Sequence, residues 1–228
     1  RLYFELYDAY FKELPEHPSI LKSKDKKYIT EKVRRTIRFL SPYINSSTNF
    51  IEIGSGDCSL TIGLSQYVKE VIGVDVSKVI VPLKDSLPQN VKLYISKDGV
   101  SLPFQDEYFH LAYSNQLLEH LHPEDVRKHI INVIHILKKG GIYIFQTPHL
   151  FLGPHDVSKY FHNTPRGFHL KEYCNFELYF LLNKAGFTKV NLITGIKGYR
   201  ILLPIVIPIL IEYILFLLPH FFSYLATS

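Results

Sequence analysis

The sequence contains no methionine, no tryptophan and only two cysteines among 228 residues. Because it starts at Arg1 and has no methionine, we interpret it as a fragment or an incomplete record of the natural protein. Cys58 and Cys174 lack the paired spacing of a zinc site and the density of a disulfide-stabilised domain. We therefore expect no metal site, and a reducing compartment such as the cytoplasm. The first residues show no signal-peptide pattern.

Internal repeats and low-complexity linkers are also absent, so nothing in the sequence indicates an array of domains. Hydrophobic residues make up 46% and charged residues 21%, which is typical of a soluble globular protein with one large domain. Part of the net charge of +5 comes from basic residues that alternate with apolar ones at helical spacing near the start. We interpret them as the solvated face of a helix, with attraction to anionic lipid or nucleic acid as the alternative. These residues are Lys22, Lys24, Lys26, Lys27, Lys32, Arg34, Arg35 and Arg38.

Short apolar runs alternate with amphipathic stretches along most of the chain. The predicted strands cover residues 50–53, 71–74, 91–95, 109–113 and 142–146, followed later by 188–194. The predicted helices cover residues 58–69, 77–86, 123–138 and 171–185. Alternation of this kind predicts an α/β fold with a doubly wound, mostly parallel sheet and helices on both of its faces.

The segment EIGSGDC, residues 52–58, joins the first predicted strand to the first predicted helix. Loops at this position of a doubly wound sheet usually bind the ligand. Gly54 and Gly56 let the backbone turn tightly and approach a ligand closely. A dinucleotide-binding fingerprint needs a third glycine where Ser59 stands, so this motif is not present.

Acidic residues discriminate better between possible ligands. Glu52, Asp57, Asp75 and Asp98 are all predicted to lie near the carboxyl ends of neighbouring strands. Four carboxylates would repel a pyrophosphate, whereas a nearby cation would stabilise them. S-adenosylmethionine carries a sulfonium and an ammonium group and has no phosphate, so it suits such a site.

With these motifs the sequence resembles the class I S-adenosylmethionine-dependent methyltransferases, which have a Rossmann-like fold. The resemblance extends over about residues 47–194 and rests on four segments in the family's order: EIGSGDC, VIGVDVS, DGVSLPF and HILKKGGIYIFQTP. The family's loop has the form acid-x-Gly-x-Gly-x-Gly, and Cys58 stands here in place of the third glycine.

The resemblance implies S-adenosylmethionine as the cofactor and S-adenosylhomocysteine as the product. It implies that Asp75 accepts hydrogen bonds from the ribose hydroxyls, that Asp98 and Gly99 contact the adenine, and that Asn115 lies near the methionine part. The expected cofactor-binding residues are Glu52, Gly54, Ser55, Gly56, Asp75, Val76, Asp98, Gly99 and Asn115.

Methyl transfer to a hydroxyl group would need a base, and histidine titrates near neutral pH. Among eleven histidines, we select His120, which follows the fourth strand, and His155, which Asp156 could orient. His155 lies in a long connection, residues 148–170, rich in proline, glycine, histidine and aromatic residues. We interpret this connection as a lid over the acceptor, because long loops in compact domains tend to be functional.

The predicted function is therefore methyl transfer from S-adenosylmethionine to a small or lipid-like acceptor, at an oxygen atom. The alternatives are a catalytically silent S-adenosylmethionine-binding module and a nucleotide-dependent oxidoreductase; the latter is disfavoured by Ser59 and by the acidic residues. Nucleic acid is a disfavoured acceptor. The Asn-Pro-Pro-aromatic motif of base methyltransferases is replaced by SNQLLEHL after the fourth strand.

The segment from Ile201 to Ser228 is apolar, and Glu212 is its only formally charged residue. Pro204, Pro208 and the cost of burying Glu212 in a bilayer argue against a simple membrane span. A helix over 209–218 is predicted, packed on the domain, in a homodimer, in an acceptor pocket, or against a membrane surface through 201–225. Residues 198–203 are the candidate for a final antiparallel strand of the sheet.

These features divide the chain into three segments. Residues 1–45 are predicted to form an N-terminal helical segment packed on the domain, 46–200 the S-adenosylmethionine-binding domain, and 201–228 an apolar C-terminal segment. The expected location is the cytoplasm, with contact to a membrane as an open alternative.

Overall fold

A computed structural model describes residues 25–77, 87–196 and 199–227, together with the isolated positions Glu5, Ala9, Lys12 and Glu13. For residues 195, 196, 199 and 218–227 it describes the backbone alone. The chain forms two compact units, Arg1–Thr147 and Pro148–Ser228. The predicted helix over 77–86, apart from Ser77, and most of residues 1–24 lie outside the described residues.

The first unit is built on a sheet of five parallel strands in the order β3-β2-β1-β4-β5. The strands are β1 (Asn49–Ile53), β2 (Glu70–Asp75), β3 (Val91–Ile95), β4 (Phe109–Asn115) and β5 (Leu137–Gln146). Every residue of β1 is buried, as its continuous apolar sequence predicts. The strand order reverses at β1, which has β2 on one side and β4 on the other. The predicted Rossmann-like α/β fold is confirmed.

Among the described residues of this unit, three α-helices accompany the sheet: α1 (Lys26–Leu40), α2 (Ser59–Leu64) and α3 (Pro123–Ile136). Helix α1 is capped by the Asp25 carboxylate, which accepts hydrogen bonds from the amides of Lys27 and Tyr28. It packs closely on α2, since a Cβ added to Gly63 would lie 2.7 Å from a methyl group of Val33. Helix α1 therefore lies against α2 within the first unit.

Two helices of the first unit end earlier than the sequence predicts. Helix α2 ends at Leu64 instead of residue 69, and α3 ends at Ile136 instead of residue 138. Residues 138–141, Lys-Lys-Gly-Gly, belong to β5. It forms an irregularity there: Phe109 pairs with Leu137 and Leu111 with Ile142, so two steps along β4 match five along β5. Gly140 permits this with a φ of 76°.

The second unit contains α4 (Asn175–Ala185), β6 (Asn191–Ile196), β7 (Tyr199–Pro204) and α5 (Val206–Thr227). Gly186 ends α4 with a φ of 109°, as predicted. Strands β6 and β7 pair antiparallel in a two-stranded sheet of their own, so the expected strand over 198–203 exists but does not end the main sheet.

Helix α5 packs against α4 and β7. It begins earlier than the predicted residue 209, because Pro208 falls in its first turn, where a proline does not interrupt the hydrogen bonding. No helix within the described part of the chain has both the length and the apolar character needed to cross a membrane.

Candidate cofactor site and histidine cluster

A cavity lies at the carboxyl ends of β1, β2 and β4. This is where the strand order reverses, which is the usual ligand position in an open α/β sheet. The lining residues are Ile53, Gly54, Gly56, Val74, Asp75, Val76, Ser96, Gly99, Leu102, Gln116, Leu117, His120 and Leu121.

The glycine loop after β1 forms one wall of this cavity. Gly54 has a φ of 78° and Gly56 a φ of 55°, in the left-handed region that glycine adopts at little cost. The amide of Gly54 donates to the carbonyl oxygen of Val74 at 2.8 Å, which ties the loop to β2. A Cβ added to Gly56 would meet no atom within 4 Å, so the backbone there is open to a ligand.

Cys58 replaces the third glycine of the family pattern and keeps the conformation of a glycine, with a φ of 60°. Its side chain is fully buried, and its sulfur lies 3.5 Å from the hydroxyl of Ser55. Burial raises the pKa of the Cys58 thiol to about 11, so the thiol remains protonated near neutral pH. Ser55 is itself buried and does not line the cavity.

Asp75, at the end of β2, connects the strand to the glycine loop. Its Oδ2 accepts a hydrogen bond of 2.7 Å from the amide of Gly56, and its Oδ1 accepts one of 3.0 Å from the amide of Ser77. These bonds fix the carboxylate at the cavity wall, where it can accept hydrogen bonds from hydroxyl groups of a ligand.

The other three acids do not line this cavity. Glu52 is buried and accepts a hydrogen bond from the hydroxyl of Thr61, and burial raises its pKa to about 8. Asp57 accepts from the amide of Ser59 at 3.1 Å, at the start of α2. Of the four acids, Asp75 is the one that lines this cavity.

Asp98 closes its own turn instead. Its Oδ1 accepts from the amides of Val100 at 3.0 Å and Ser101 at 2.8 Å, and the carboxylate borders a second, polar cavity that includes Lys128. Burial raises the pKa of Asp98, but the hydrogen bonds, led by those from Ser101, outweigh this and lower the pKa overall. The neighbouring Gly99 does line the first cavity.

Several residues that line the cavity were not predicted from the sequence. Leu102, Leu117 and Leu121 provide apolar surface, and Gln116 has a φ of 55° directly after β4. The predicted residue here was Asn115, which ends β4 opposite Gln146 and is not among the lining residues. His120, one of the two predicted bases, does line the cavity.

His155, the other predicted base, belongs to a hydrogen-bonded cluster in the second unit. Its Nδ1 lies 3.0 Å from Oε2 of Glu172, and its amide donates to Oε1 at 2.7 Å. His169 Nδ1 lies 2.7 Å from the same Oε1. Burial raises the pKa of Glu172, but the bonds from the two histidines outweigh it and lower the pKa, so the carboxylate stays ionised near neutral pH.

Asp156 does not orient His155, contrary to the sequence-based expectation. Its carboxylate accepts from the amides of Ser158 at 2.9 Å and of Gly167 and His169 at 3.1 Å. Asp156 thus holds the segment over 148–170 in shape from within, and Glu172 is the carboxylate that orients His155. The role of this segment as an acceptor lid stays a prediction.

Comparisons with known proteins agree with this geometry. Residues 51–145 match the family described as "Methyltransferase domain". The chain is similar to the uncharacterized methyltransferase YcgJ of Bacillus subtilis, with 32% identity over 99 residues, 41% of this chain and 38% of the relative. It is also similar to the uncharacterized methyltransferase sll0829 of Synechocystis sp., with 28% identity over 154 residues, 65% of this chain and 70% of the relative.

Solved structures share the fold. An S-adenosylmethionine-dependent methyltransferase from Archaeoglobus fulgidus superposes with a TM-score of 0.56 at 17% identity, over 85% of this chain and 78% of its own. The crystal structure of YcgJ superposes with a TM-score of 0.54 at 22% identity, over 72% of this chain and 74% of its own. Residues 51–145 therefore match the methyltransferase domain family, and the chain shares its fold with S-adenosylmethionine-dependent methyltransferases.

Proposed function

We propose that this protein is a cytoplasmic enzyme that transfers a methyl group from S-adenosylmethionine to an oxygen atom of a small or lipid-like acceptor. The observation that carries the cofactor part is the Asp75 carboxylate, joined to the amide of Gly56 beside a cavity at the strand-order reversal. A carboxylate combined with an open glycine loop and apolar walls suits a nucleoside that bears no phosphate.

The cavity residues fit this cofactor in distinct ways. Asp75 would accept hydrogen bonds from the ribose hydroxyls, and Leu102 and Leu121 offer apolar surface to the adenine ring. Gly54 and Gly56 would leave room for the methionine part, with Val76 and Gly99 completing the wall. The roles of Glu52, Ser55, Asp98 and Asn115 remain predictions; Glu52 acts on the site through Thr61 if it acts at all.

When bound, S-adenosylmethionine supplies a methyl group already activated by the positive sulfur. The protein then has to align a hydroxyl of the acceptor with that methyl group and remove the hydroxyl proton. The oxygen gains the methyl group as the carbon–sulfur bond breaks, and the proton passes to a base of the protein.

His155 is the first candidate for this base, because Glu172 orients its ring. Its Nδ1–H donates to the Glu172 carboxylate, so Nε2 is the nitrogen that accepts a proton, and the side chain is 37% exposed. Glu172 both fixes the ring and stabilises the positive charge that the ring gains. His120 is the second candidate, supported by its place in the cavity wall.

Calorimetric titration with S-adenosylhomocysteine tests the cofactor site. Asp75→Asn should weaken binding by about tenfold to a hundredfold, because hydrogen bonds to charged groups contribute about 1.5–3 kcal/mol. Asp106→Asn, at an exposed aspartate outside the cavity, is the control and should bind like the wild type. Titration with NAD should give no saturable signal. Equal affinity of both variants would remove Asp75 from the site.

Incubating the protein with a cell extract and methyl-labelled cofactor tests the reaction and the acceptor class. Label should appear in the lipid or small-molecule fraction as a base-stable ether or a base-labile ester, either of which shows transfer to oxygen. Saturable S-adenosylhomocysteine binding without label in any fraction would instead favour a silent binding module.

The same assay identifies the base. His155→Gln should lower the rate by about a hundredfold or more, the usual contribution of general base catalysis. Glu172→Gln should lower the rate less and shift the pH profile. His135→Gln, at an exposed position on α3, is the control. A large loss with His120→Gln and none with His155→Gln would reverse the assignment.

A further inference from the structure

The first half of helix α5 presents an unusual amount of apolar surface. Between Val206 and Leu217, nine side chains are exposed, by 40–62% of their area. They are Val206, Ile207, Leu210, Ile211, Tyr213, Ile214, Leu215, Phe216 and Leu217. Large apolar patches on a soluble protein mark contact with a partner or a membrane.

Only a narrow stripe of this half-helix faces the rest of the second unit. Pro208 and Glu212 are buried and lie one turn apart on the same face. Glu212 Oε1 lies 2.6 Å from Nε2 of His149 and accepts from the Asn175 amide at 2.6 Å, while Oε2 accepts from the Phe176 amide at 3.2 Å. The one formal charge of α5 is thereby turned inward, and the exposed face carries none.

Apolar exposure extends to other parts of the second unit. In α4, Phe176 is 57% exposed and Phe180 49%. In the segment over 148–170, Leu152 is 78%, Tyr160 77% and Phe161 67% exposed. Tyrosine and phenylalanine of this kind are typical of side chains that enter the interface between lipid and water.

In the second unit, none of the acidic side chains is exposed, whereas several basic side chains are. Its four acids are Asp156, Glu172, Glu177 and Glu212, and none of them is exposed. Glu172 and Glu212 are buried, while Asp156 accepts backbone hydrogen bonds and Glu177 pairs with Lys171 at 2.6 Å. In contrast, five of the basic residues whose side chains the structure describes are exposed: Lys159, Arg166, Lys184, Lys189 and Arg200.

Positive charge and exposed aromatic surface also occur side by side. The ammonium group of Lys159 lies 4.9 Å from the centre of the Tyr160 ring. That of Lys184 lies 4.2 Å from the centre of the Phe180 ring. At a membrane, such a ring can enter the interface while the adjacent lysine reaches the lipid phosphates.

We propose that the second unit docks on the surface of a bilayer with anionic lipids, with α5 lying in the interface. Apolar side chains would enter the acyl region, and the exposed basic residues would pair with anionic headgroups. A second copy of the chain fits less well, because it would bring two sets of exposed cations together without an exposed acid from either second unit. The proposal is independent of methyl transfer, since it uses only the surface of the second unit.

Cosedimentation with vesicles tests this proposal. The purified chain should bind vesicles of phosphatidylcholine mixed with phosphatidylglycerol at least about tenfold more tightly than phosphatidylcholine alone, since each basic residue near an anionic surface adds about fivefold. High salt should reduce this preference. Lys159→Gln combined with Lys184→Gln should weaken binding to the anionic vesicles and leave binding to neutral vesicles unchanged.

The apolar part is tested with a triple variant, Leu210→Gln, Ile214→Gln and Leu217→Gln. All three side chains are exposed, so the fold should persist, and vesicle binding should fall by at least about tenfold. The matched control replaces three exposed apolar residues of the first unit, Tyr28, Tyr67 and Ile142, by glutamine and should bind vesicles like the wild type.

Three outcomes would overturn the proposal: no cosedimentation of the folded protein with anionic vesicles, full binding by the triple variant, or equal losses in the variant and its control. A dimer that the triple variant abolishes, without any vesicle binding, would assign the surface to a second copy instead. Titration of each variant with S-adenosylhomocysteine keeps a failure here distinct from a failure of the proposed cofactor site.

Discussion

Glu52 illustrates at the scale of one residue how burial changes the role of an acid. The sequence places it in a strand between two isoleucines, next to the glycine loop. In the fold it lies behind the cavity, with the Thr61 hydroxyl as a hydrogen-bond partner and an exposed fraction of 7%. Its pKa rises to about 8, above the ordinary value of 4.5, because burial disfavours the charged form.

This shift predicts a pH dependence of stability in the protein without cofactor. Between about pH 4.5 and 8 the unfolded chain ionises Glu52 while the folded chain keeps it protonated, so the free energy of unfolding falls as pH rises. Glu52→Gln removes this titration. Thermal unfolding at a series of pH values should show the variant gaining stability over the wild type as pH rises, by a few kcal/mol at about pH 8. Parallel curves for the two proteins would contradict it.

Asp75 and Asp98 show which residue roles a sequence can predict. Asp75 ends β2 and Asp98 lies shortly after β3, and the sequence resemblance implies a cofactor contact for both. Asp75 lines the cavity, because its carboxylate is held at the wall by the amide of Gly56. Asp98 has its oxygens occupied by Val100 and Ser101 in its own turn. The sequence does not distinguish these two acids. Only the fold shows that Asp75 lines the cavity and that Asp98 bonds within its own turn.

At the scale of secondary structure elements, Glu212 links α5 to α4. Its carboxylate accepts hydrogen bonds from amides in the first turn of α4, which have no partner within the helix. Such a cap is usually provided by a residue next to the helix in sequence. Asn175 and Glu212 are 37 residues apart. The presence of Glu212 in the otherwise apolar α5 is thus explained by its hydrogen bonds to the start of α4.

Removing this link should destabilise the protein. Glu212→Ala leaves the amides of Asn175 and Phe176 without their acceptor and should lower the free energy of unfolding by about 2 kcal/mol, the range for a lost cap with buried partners. Urea denaturation measures the change. The neighbouring exposed Tyr213→Ala should stay within about 0.5 kcal/mol of the wild type. Similar losses in both variants would mean that α5 is held by its apolar contacts instead.

At the junction of α3 and β5, the hydrophobic periodicity of the sequence does not predict the boundary correctly. The helical pattern of the sequence continues to Lys138, but in the structure β5 starts at Leu137. Pairing with β4 supplies this preference, because Leu137 lies opposite Phe109. A sequence pattern does not contain the partner strand, so it places the boundary too late.

At the scale of the whole molecule, the candidate sites lie in two different compact units. Every residue that lines the cavity belongs to the first unit, Arg1–Thr147. The histidine cluster and the apolar helix belong to the second, Pro148–Ser228. Cofactor affinity should accordingly be a property of the first unit.

Calorimetry on the full chain can test this division. Glu212→Ala, which disturbs only contacts inside the second unit, should leave the affinity for S-adenosylhomocysteine within about twofold at a temperature where the variant is folded. Asp75→Asn supplies the contrasting loss. A marked loss of affinity in folded Glu212→Ala would show that the second unit contributes to the cofactor site.

The sequence by itself determined the parallel α/β fold, the glycine loop and the acid at the end of β2. These features are local, because continuous apolar strands, turn glycines and strand-end residues are encoded within a few positions. Only the tertiary structure decided that Glu172 orients His155, that Glu212 caps α4, and that Asp75 alone among four acids reaches the cavity. Those results depend on which side chains meet across long sequence separations, and hydrogen bonding and burial settle that only in the folded chain.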